Sequence, residues 1–316
     1  MHLLIAFAYC NSEGCARAVQ DLRLPHLEKL LQRLTPRVLD DGDASSYSPP
    51  HERALASALG LPLRDGEIPW AAWRAHPQPG RWGFVSPCHW VMGSDDVAMS
   101  VAPLADFPAQ ESQALLASMQ PFFAEDGIEL IYDQPLRWLA RGNLLQGIVS
   151  ASEDRVAGRG VKDWLPRGAG AASLRRLQTE MQMLCYHHPV NDQRQARGVA
   201  LVNSFWISGT GALRAGVPAP GGGADPRVVS ELREPALQGN WAAWAQAWQA
   251  LDRTHCAALL DVIEACSGAT SELARCTLSL CGERNALTFD AVRPRFLREF
   301  LNRFSQNRSS DVLGKL

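Results

Sequence analysis

Residues able to do chemistry are densest between His188 and Gly211. The run is His188-Pro189-Val190-Asn191, then Arg194, then Val202-Asn203, and finally Ser208-Gly209-Thr210-Gly211. Asn191 and Asn203 carry short amides that donate and accept, and Arg194 is a permanent cation with a forked set of donors. Gly209 and Gly211 let a ligand approach the backbone closely. With His188 and Ser208 beside them, these residues could hold an anionic or polyhydroxy ligand. They equally suit a plainer role, in which the amides cap turns and the glycines supply left-handed dihedrals.

Other candidate groups are sparser. His89, Asp95 and Asp96 follow Ser86-Pro87-Cys88 and could build a Cys–His or metal cluster, or simply decorate a loop. Asp252-Arg253-Thr254-His255 has D-x-x-H spacing but falls inside a predicted helix, where it reads as an ordinary helical pair. His187 and His188 are adjacent, so they point differently on any element. Gly158-Arg159-Gly160 is too short for a phosphate loop. The eight cysteines, at 10, 15, 88, 185, 256, 266, 276 and 281, include no C-x-x-C pair. That argues against a zinc ribbon or a thioredoxin-type site and predicts reduced, buried thiols. No metal and no cofactor is expected.

The bulk numbers set the frame. A chain of 316 residues with 46% apolar residues can bury a sizeable core in about two domains or one large one. Net charge is −2, without a basic run, so nucleic acid is not an expected partner. Of 31 basic residues only three are lysines (Lys29, Lys162, Lys315), which fits anion recognition or a GC-rich coding sequence. The apolar start, Met1 to Cys10, lacks a cationic leader, and no segment has the length of a membrane span. The expectation is a cytoplasmic chain with no membrane partner.

Periodicity predicts the elements that would position these groups. Leu3 to Ala8 is an apolar run of strand length, and Pro25 opens a helix with Leu27, Leu30, Leu31 and Leu34 on one face. Pro50 to Leu61 is a short helix ending at Gly60. Val97 to Val101 is a strand, Pro108 to Ala124 a helix, and Ile128–Tyr132 and Leu136–Ala140 two more strands. Ser173 to Tyr186 is amphipathic, Val199 to Ile207 a strand, and Val217 to Asp225 a loop. Asn240 caps a helix carrying the stripe Trp241, Trp244, Trp248, Leu251, with Gly268 as its stop; core packing is the favoured role of the stripe. Thr277–Cys281 is a strand and Arg293–Phe304 a closing helix. The reading is an α/β fold: a mainly parallel sheet with helices on both faces, plus a small α+β insert. The core would span 1–84 and 146–305, the insert 85–145, and a flexible tail 306–316.

The segment H-P-V-N-x-x-R-x-x-x-G-x-x-x-V-N, ending in S-G-T-G, resembles H-P-V-N-x-x-R-x-x-x-G-x-x-P-A-N and R-G-x-G of archaeal-type cofactor-independent phosphoglycerate mutases, of the alkaline phosphatase superfamily. The order of elements upstream agrees, from Val97 through Leu136-Arg137-Trp138-Leu139 to the stretch Ser152–Pro166. The resemblance spans residues 1 to 215 and is specific over 188 to 211. It extends to a bacterial branch labelled phosphoglycerate mutase-like or regulatory protein of a pathogenicity-factor cluster. It implies binding residues His188, Asn191, Arg194, Asn203, Ser208, Gly209 and Gly211, with Arg137 from the insert assisting.

The resemblance also shows what is missing. The family's first strand ends in Asp-Gly, whose Asp binds metal, whereas this strand runs Phe7-Ala8-Tyr9-Cys10. The family's nucleophile motif falls near Ser48-Pro49-Pro50-His51-Glu52, leaving Ser48 as a remnant. The late Asp/His metal pair is not found after Cys281, where Gly282-Glu283-Arg284 follows, and Ser208 replaces the Arg of R-G-x-G. Two-metal phosphoryl transfer needs these groups. The expectation is therefore a degenerate, regulatory or binding protein without mutase activity, taking a small anionic ligand or a protein partner. The alternative is an active phosphoglycerate mutase (an isomerase) or a metal-dependent phosphatase (a phosphomonoester hydrolase) with a rearranged site.

Overall fold

The computed structural model describes all residues except 94–95, 102–103, 105, 214–215, 218, 222–224, 266–275 and 292–307, with backbone alone at 38, 39 and 41. Asp95, the stop expected at Gly268, the helix expected over Arg293–Phe304 and part of the loop expected over 217–225 lie outside the described residues. Elements are numbered in chain order. The chain divides into two units: Met1–Ser45, Pro49–Leu59 and Gly223–Leu316 form the first, Ser46–Ser48 and Gly60–Gly222 the second.

The first unit is built on strands β1 (His2–Ile5), β2 (Thr35–Asp41), β9 (Arg227–Val229), β10 (Thr277–Cys281) and β11 (Asn285–Asp290), in the order β2-β11-β10-β1-β9. β1 opens the sheet as its apolar run predicts, lying parallel to both β10 and β9. β11 is antiparallel to β10 and to β2. The sheet is thus mixed, which corrects the expectation of a mainly parallel one. The cause is local: β10 and β11 are joined by the short turn at Gly282–Arg284, and a turn that short permits only an antiparallel pair.

Alternate residues of β1 feed opposite faces. Leu3 and Ile5 pack with Leu278 and Leu280 against helices α1 (Glu13–Asp21), α2 (Pro25–Arg33), α10 (Trp241–Leu251) and α11 (Ala257–Ala265). Leu4 and Ala6 meet Cys281, Ala286 and α3 (Pro50–Leu59) on the other face. Asn240 caps α10 by accepting from the Ala243 N–H, as its type predicts. Trp244 and Trp248 are fully buried, so the tryptophan stripe is core. A short helix α9 (Arg233–Leu237) precedes α10.

Residues 309–316, part of the tail expected over 306–316, pack into the first unit. Ser309–Leu313 is helical, Leu313 and Leu316 are buried, and the Leu316 carbonyl accepts from the Arg284 and Asn285 N–H groups. Val312, Leu313 and Leu316 are apolar enough to tie a segment that otherwise reads as polar.

The second unit holds an antiparallel sheet of β3 (Trp82–Cys88), β6 (Glu129–Gln134), β7 (Arg137–Arg141) and β8 (Ser204–Gly211), in the order β6-β7-β3-β8. A separate hairpin pairs β4 (Trp90–Met92) with β5 (Val97–Met99). Helices α5 (Ala109–Glu125) and α7 (Ala171–Tyr186) cover one face, where Leu115, Met119, Leu177 and Met181 pack on Val85, Trp138 and Phe205. Helix α4 (Trp70–Arg74) packs near Trp82 on the other, and Ser86 of β3 donates to Glu153 of α6 (Glu153–Val156). The expected insert, 85–145, therefore falls inside a larger unit. β3 pairs with β8 from Trp82 to Cys88, a long-range partnership that brings 146–222 into the same body. Among the described residues, no helix is long and apolar enough to cross a membrane.

Candidate functional site

The segment 188–211 folds as a corner between two helices and a strand of the second unit. His187 closes α7, and His188-Pro189 opens α8 (Pro189–Ala196). Pro189 occupies the first helical turn, where its missing N–H costs nothing. His188 is the N-cap: its Nδ1 accepts from the Val190 N–H at 3.2 Å. Nδ1 must then be unprotonated, so Nε2 carries the proton and donates to Ser118 Oγ at 3.0 Å. Burial, partly opposed by Asp192, holds the His188 pKa below the ordinary histidine value and favours this neutral form.

Asn191 is buried and uses its whole amide internally. Nδ2 donates to the carbonyls of Cys185 and Val202 at 2.7 and 2.6 Å, and Oδ1 accepts from the Val202 N–H at 3.0 Å. It fastens the end of α7 to the chain approaching β8. Asn203 does the same for the hairpin, exchanging two hydrogen bonds with the Trp90 backbone at 2.6 and 2.7 Å.

Arg194 corrects the expectation of a ligand-facing cation. Its side chain is 0% exposed. Nε donates to Ala200 O at 2.8 Å, and Nη1 donates to Asp106 O and Glu111 Oε2, each at 3.0 Å. The guanidinium also stacks over Phe107 at 5.1 Å. Glu111, itself buried, takes Arg197 at 2.6 Å on its other oxygen. Arg137 is likewise paired, with Asp133 at 2.8 Å, and lies over the Phe84 ring. Arg74 and Arg137 hold the Asp133 carboxyl below the usual carboxylate range against the opposing effect of burial.

The glycines answer to packing. At Gly209 (φ +62°) a Cβ would come within 2.8 Å of the Phe84 ring, and at Gly211 (φ +151°) within 2.2 Å of Glu67 O. Ser208 lies in β8 opposite Phe84. The segment therefore stands at the start and along the length of an antiparallel strand, not at the carboxyl ends of parallel ones.

One face of this corner does border a depression of about 980 Å³. Asn191 and Asn203 reach it, with Asp192 and Gln195 from α8. Helix α7 lines it with Arg175, Thr179 and Gln182 of its polar face and with buried Gln178, whose Nε2 donates to Phe205 O at 3.2 Å. Trp90, Met92 and Val97 of the hairpin line it as well, together with Lys162. Two cations, Lys162 and Arg175, balance two acids, Asp96 and Asp192. Met92 and Tyr186 line it too and are 81% and 79% exposed. Most of these residues escaped sequence reasoning. The available signal was the outer face of α7, where Arg175, Thr179 and Gln182 recur at helical spacing opposite the apolar stripe.

The other candidates resolve singly. Asp252 is buried and accepts from the N–H groups of His26 and Leu27 and from His26 Nδ1. His255 faces Glu231 at 3.4 Å instead, so the D-x-x-H pair does not converge. His89 binds the Leu201 carbonyl through Nδ1, and His187 packs on Tyr186. Ser48 Oγ accepts from the Gly66 N–H. Among the described residues, no three His, Cys, Asp or Glu side chains gather as a metal would need.

At the carboxyl end of β1, in the first unit, the carbonyls of Phe7 and Ala8 accept the indole N–H groups of Trp244 and Trp248 at 3.0 and 3.2 Å. Phe7 adopts φ +55°, unusual for a bulky residue. The donor set there, Ala8, Tyr9 and Cys10, does not fit a hard divalent cation.

No protein-family model and no curated protein matches the chain. Among solved structures, it is similar to a cofactor-independent phosphoglycerate mutase from Thermoplasma acidophilum, at 12% identity and a TM-score of 0.37, over 99% of this chain and 95% of that one. It is similar also to the PH0037 protein of Pyrococcus horikoshii, at 11% identity and a TM-score of 0.41, over 91% and 86%.

Proposed function

We propose that this chain is a degenerate phosphoglycerate mutase-like protein of the cytoplasm, acting by binding rather than by phosphoryl transfer. The observation that carries the reading is the position of Arg194. The cation that the motif would present to a phosphoryl ligand is enclosed by Glu111, Asp106 and Ala200. The residues ending β1 support it further, since Ala8-Tyr9-Cys10 offers no carboxylate for a metal.

The depression beside α7 and α8 is the surface we assign to binding, and its chemistry favours a protein segment over a small anion. Its charges balance, where a phosphate site would concentrate cations. Gln182 and Gln195 supply amides that can meet a peptide backbone, and exposed Met92 and Tyr186 offer apolar contact.

A coupled assay with 3-phosphoglycerate, run with added manganese and again with chelator, tests the catalytic half. We expect no turnover in either; turnover abolished by chelator establishes the mutase alternative. Affinity capture with wild type and a Met92→Glu/Tyr186→Glu variant tests the binding half. A partner held by the wild type and lost by the variant supports the depression, and equal retention places binding elsewhere.

A further inference from the structure

The loop leaving β1 brings two cysteines together. Cys10 follows the strand and is partly exposed, whereas Cys15 lies in the first turn of α1 and is buried. The Cys10 N–H donates to Cys15 Sγ at 3.3 Å, and the Cys15 N–H donates to the capping Ser12 Oγ at 3.2 Å. The intervening chain is fixed. The Asn11 N–H donates to Glu283 Oε2 at 2.8 Å, and the Ser12 N–H donates to Cys10 O at 2.8 Å. The two sulfurs are therefore held near each other by a defined turn, with one of them accessible from solvent.

The surroundings favour a negative sulfur at Cys15, which sits at a helix N-terminus and accepts a backbone N–H. The Cys10 thiol also donates to it. That bond, against the effect of burial and with help from the Cys10 N–H, holds the Cys15 thiol below its ordinary pKa. Burial elsewhere does the opposite, pushing Cys185 and Cys256 up to about 12.

We propose that Cys10 and Cys15 form a reversible thiol–disulfide site that exchanges with low-molecular-weight disulfides of the glutathione class. It lies in the first unit and is independent of the binding role given to the second. The accessible Cys10 sulfur, passing its proton to the Cys15 sulfur, attacks one sulfur of the disulfide, forming a mixed disulfide and releasing one thiolate. Cys15 then attacks the Cys10 sulfur, closing Cys10–Cys15 and releasing the second. Two cysteine thiols are oxidised, one disulfide is reduced to two thiols, and the two protons leaving the cysteines end on the released sulfurs.

The test equilibrates the full chain in graded ratios of oxidised to reduced glutathione. Remaining thiols are then blocked with iodoacetamide, and the tryptic peptide Met1–Arg17, which contains both cysteines, is weighed. The expected result is a peptide lighter by two hydrogens and free of alkylation in oxidising buffer, returning to the doubly alkylated form with dithiothreitol. Cys15→Ser should trap the glutathione adduct on Cys10. Should that variant not fold, the wild-type peptide decides alone. Double alkylation across the whole redox range overturns the proposal, as does a wild type that accumulates glutathione on Cys10 without closing the bridge.

Discussion

Arg194 and Glu111 form an ion pair at 3.0 Å whose side chains are 0% and 7% exposed. Such a pair resists the loss of one partner more than the replacement of both. Arg194→Ala leaves a buried carboxylate with Arg197 alone, and should cost about 3–5 kcal/mol in urea denaturation. Thermal shift with phosphate and with 3-phosphoglycerate checks the functional side. Neither anion should raise the melting temperature of the wild type. A rise that disappears in Arg194→Ala would restore an open anion site to this corner.

His188 makes the second unit sensitive to mild acid. Its folded pKa lies below the unfolded value of about 6.5, so the unfolded chain binds the proton more readily. The cap's contribution is fully present above that value and is lost as pH falls through the lowered one. Protonation of Nδ1 also removes the acceptor for the Val190 N–H. The urea midpoint should fall between pH 7.5 and 5.5 in wild type. His188→Asn, which keeps an acceptor without titrating, should flatten that part of the profile.

The tryptophans of α10 lock the end of β1. Trp248→Phe leaves a smaller ring in a fully buried site and the Ala8 carbonyl without its indole donor, the lost bond alone costing about 1–3 kcal/mol. Gly14→Ala should also destabilise, because a Cβ there would stand 2.3 Å from the Trp241 ring. Chemical denaturation of the two variants checks both, and unchanged stability of Gly14→Ala would mean that Trp241 moves aside freely.

Removal of residues 309–316 should weaken the first unit and not merely shorten it. Leu313 and Leu316 are buried, and removing one such side chain typically costs about 2–5 kcal/mol. Differential scanning calorimetry of the truncated chain should show a lower transition, and an unchanged transition would return the segment to a loose tail.

Much of the architecture is legible from local pattern. β1, the leucine face of α2, the stripe of α7 and the Asn240 cap follow from apolar spacing and one capping side chain. Long-range pairing is not written that way. That β3 would seek β8, or that β11 would turn back along β10, depends on partners distant in sequence or on a tight turn. The site was legible as residues and not as directions. Asn191, Arg194 and Asn203 have the same composition whether they face a ligand or the interior. What decides is Glu111, far upstream, and carbonyls that the sequence leaves unmarked. Cys10 and Cys15 were likewise visible only as scattered thiols, since their contact depends on the turn that joins β1 to α1.

The pairing of β1 with β10 sets an order of events during synthesis. His2 to Ile5 are made long before their partners Thr277 to Leu280. All strands of the second unit's sheet lie between Trp82 and Gly211, so they are available well before that. A nascent chain paused after β8 thus carries a finished set of sheet partners downstream of an apolar strand that still has none. Exposed strand edges of that kind invite pairing with other chains. The vulnerable period in the making of this protein is the interval on the ribosome in which β1 waits for β9 and β10.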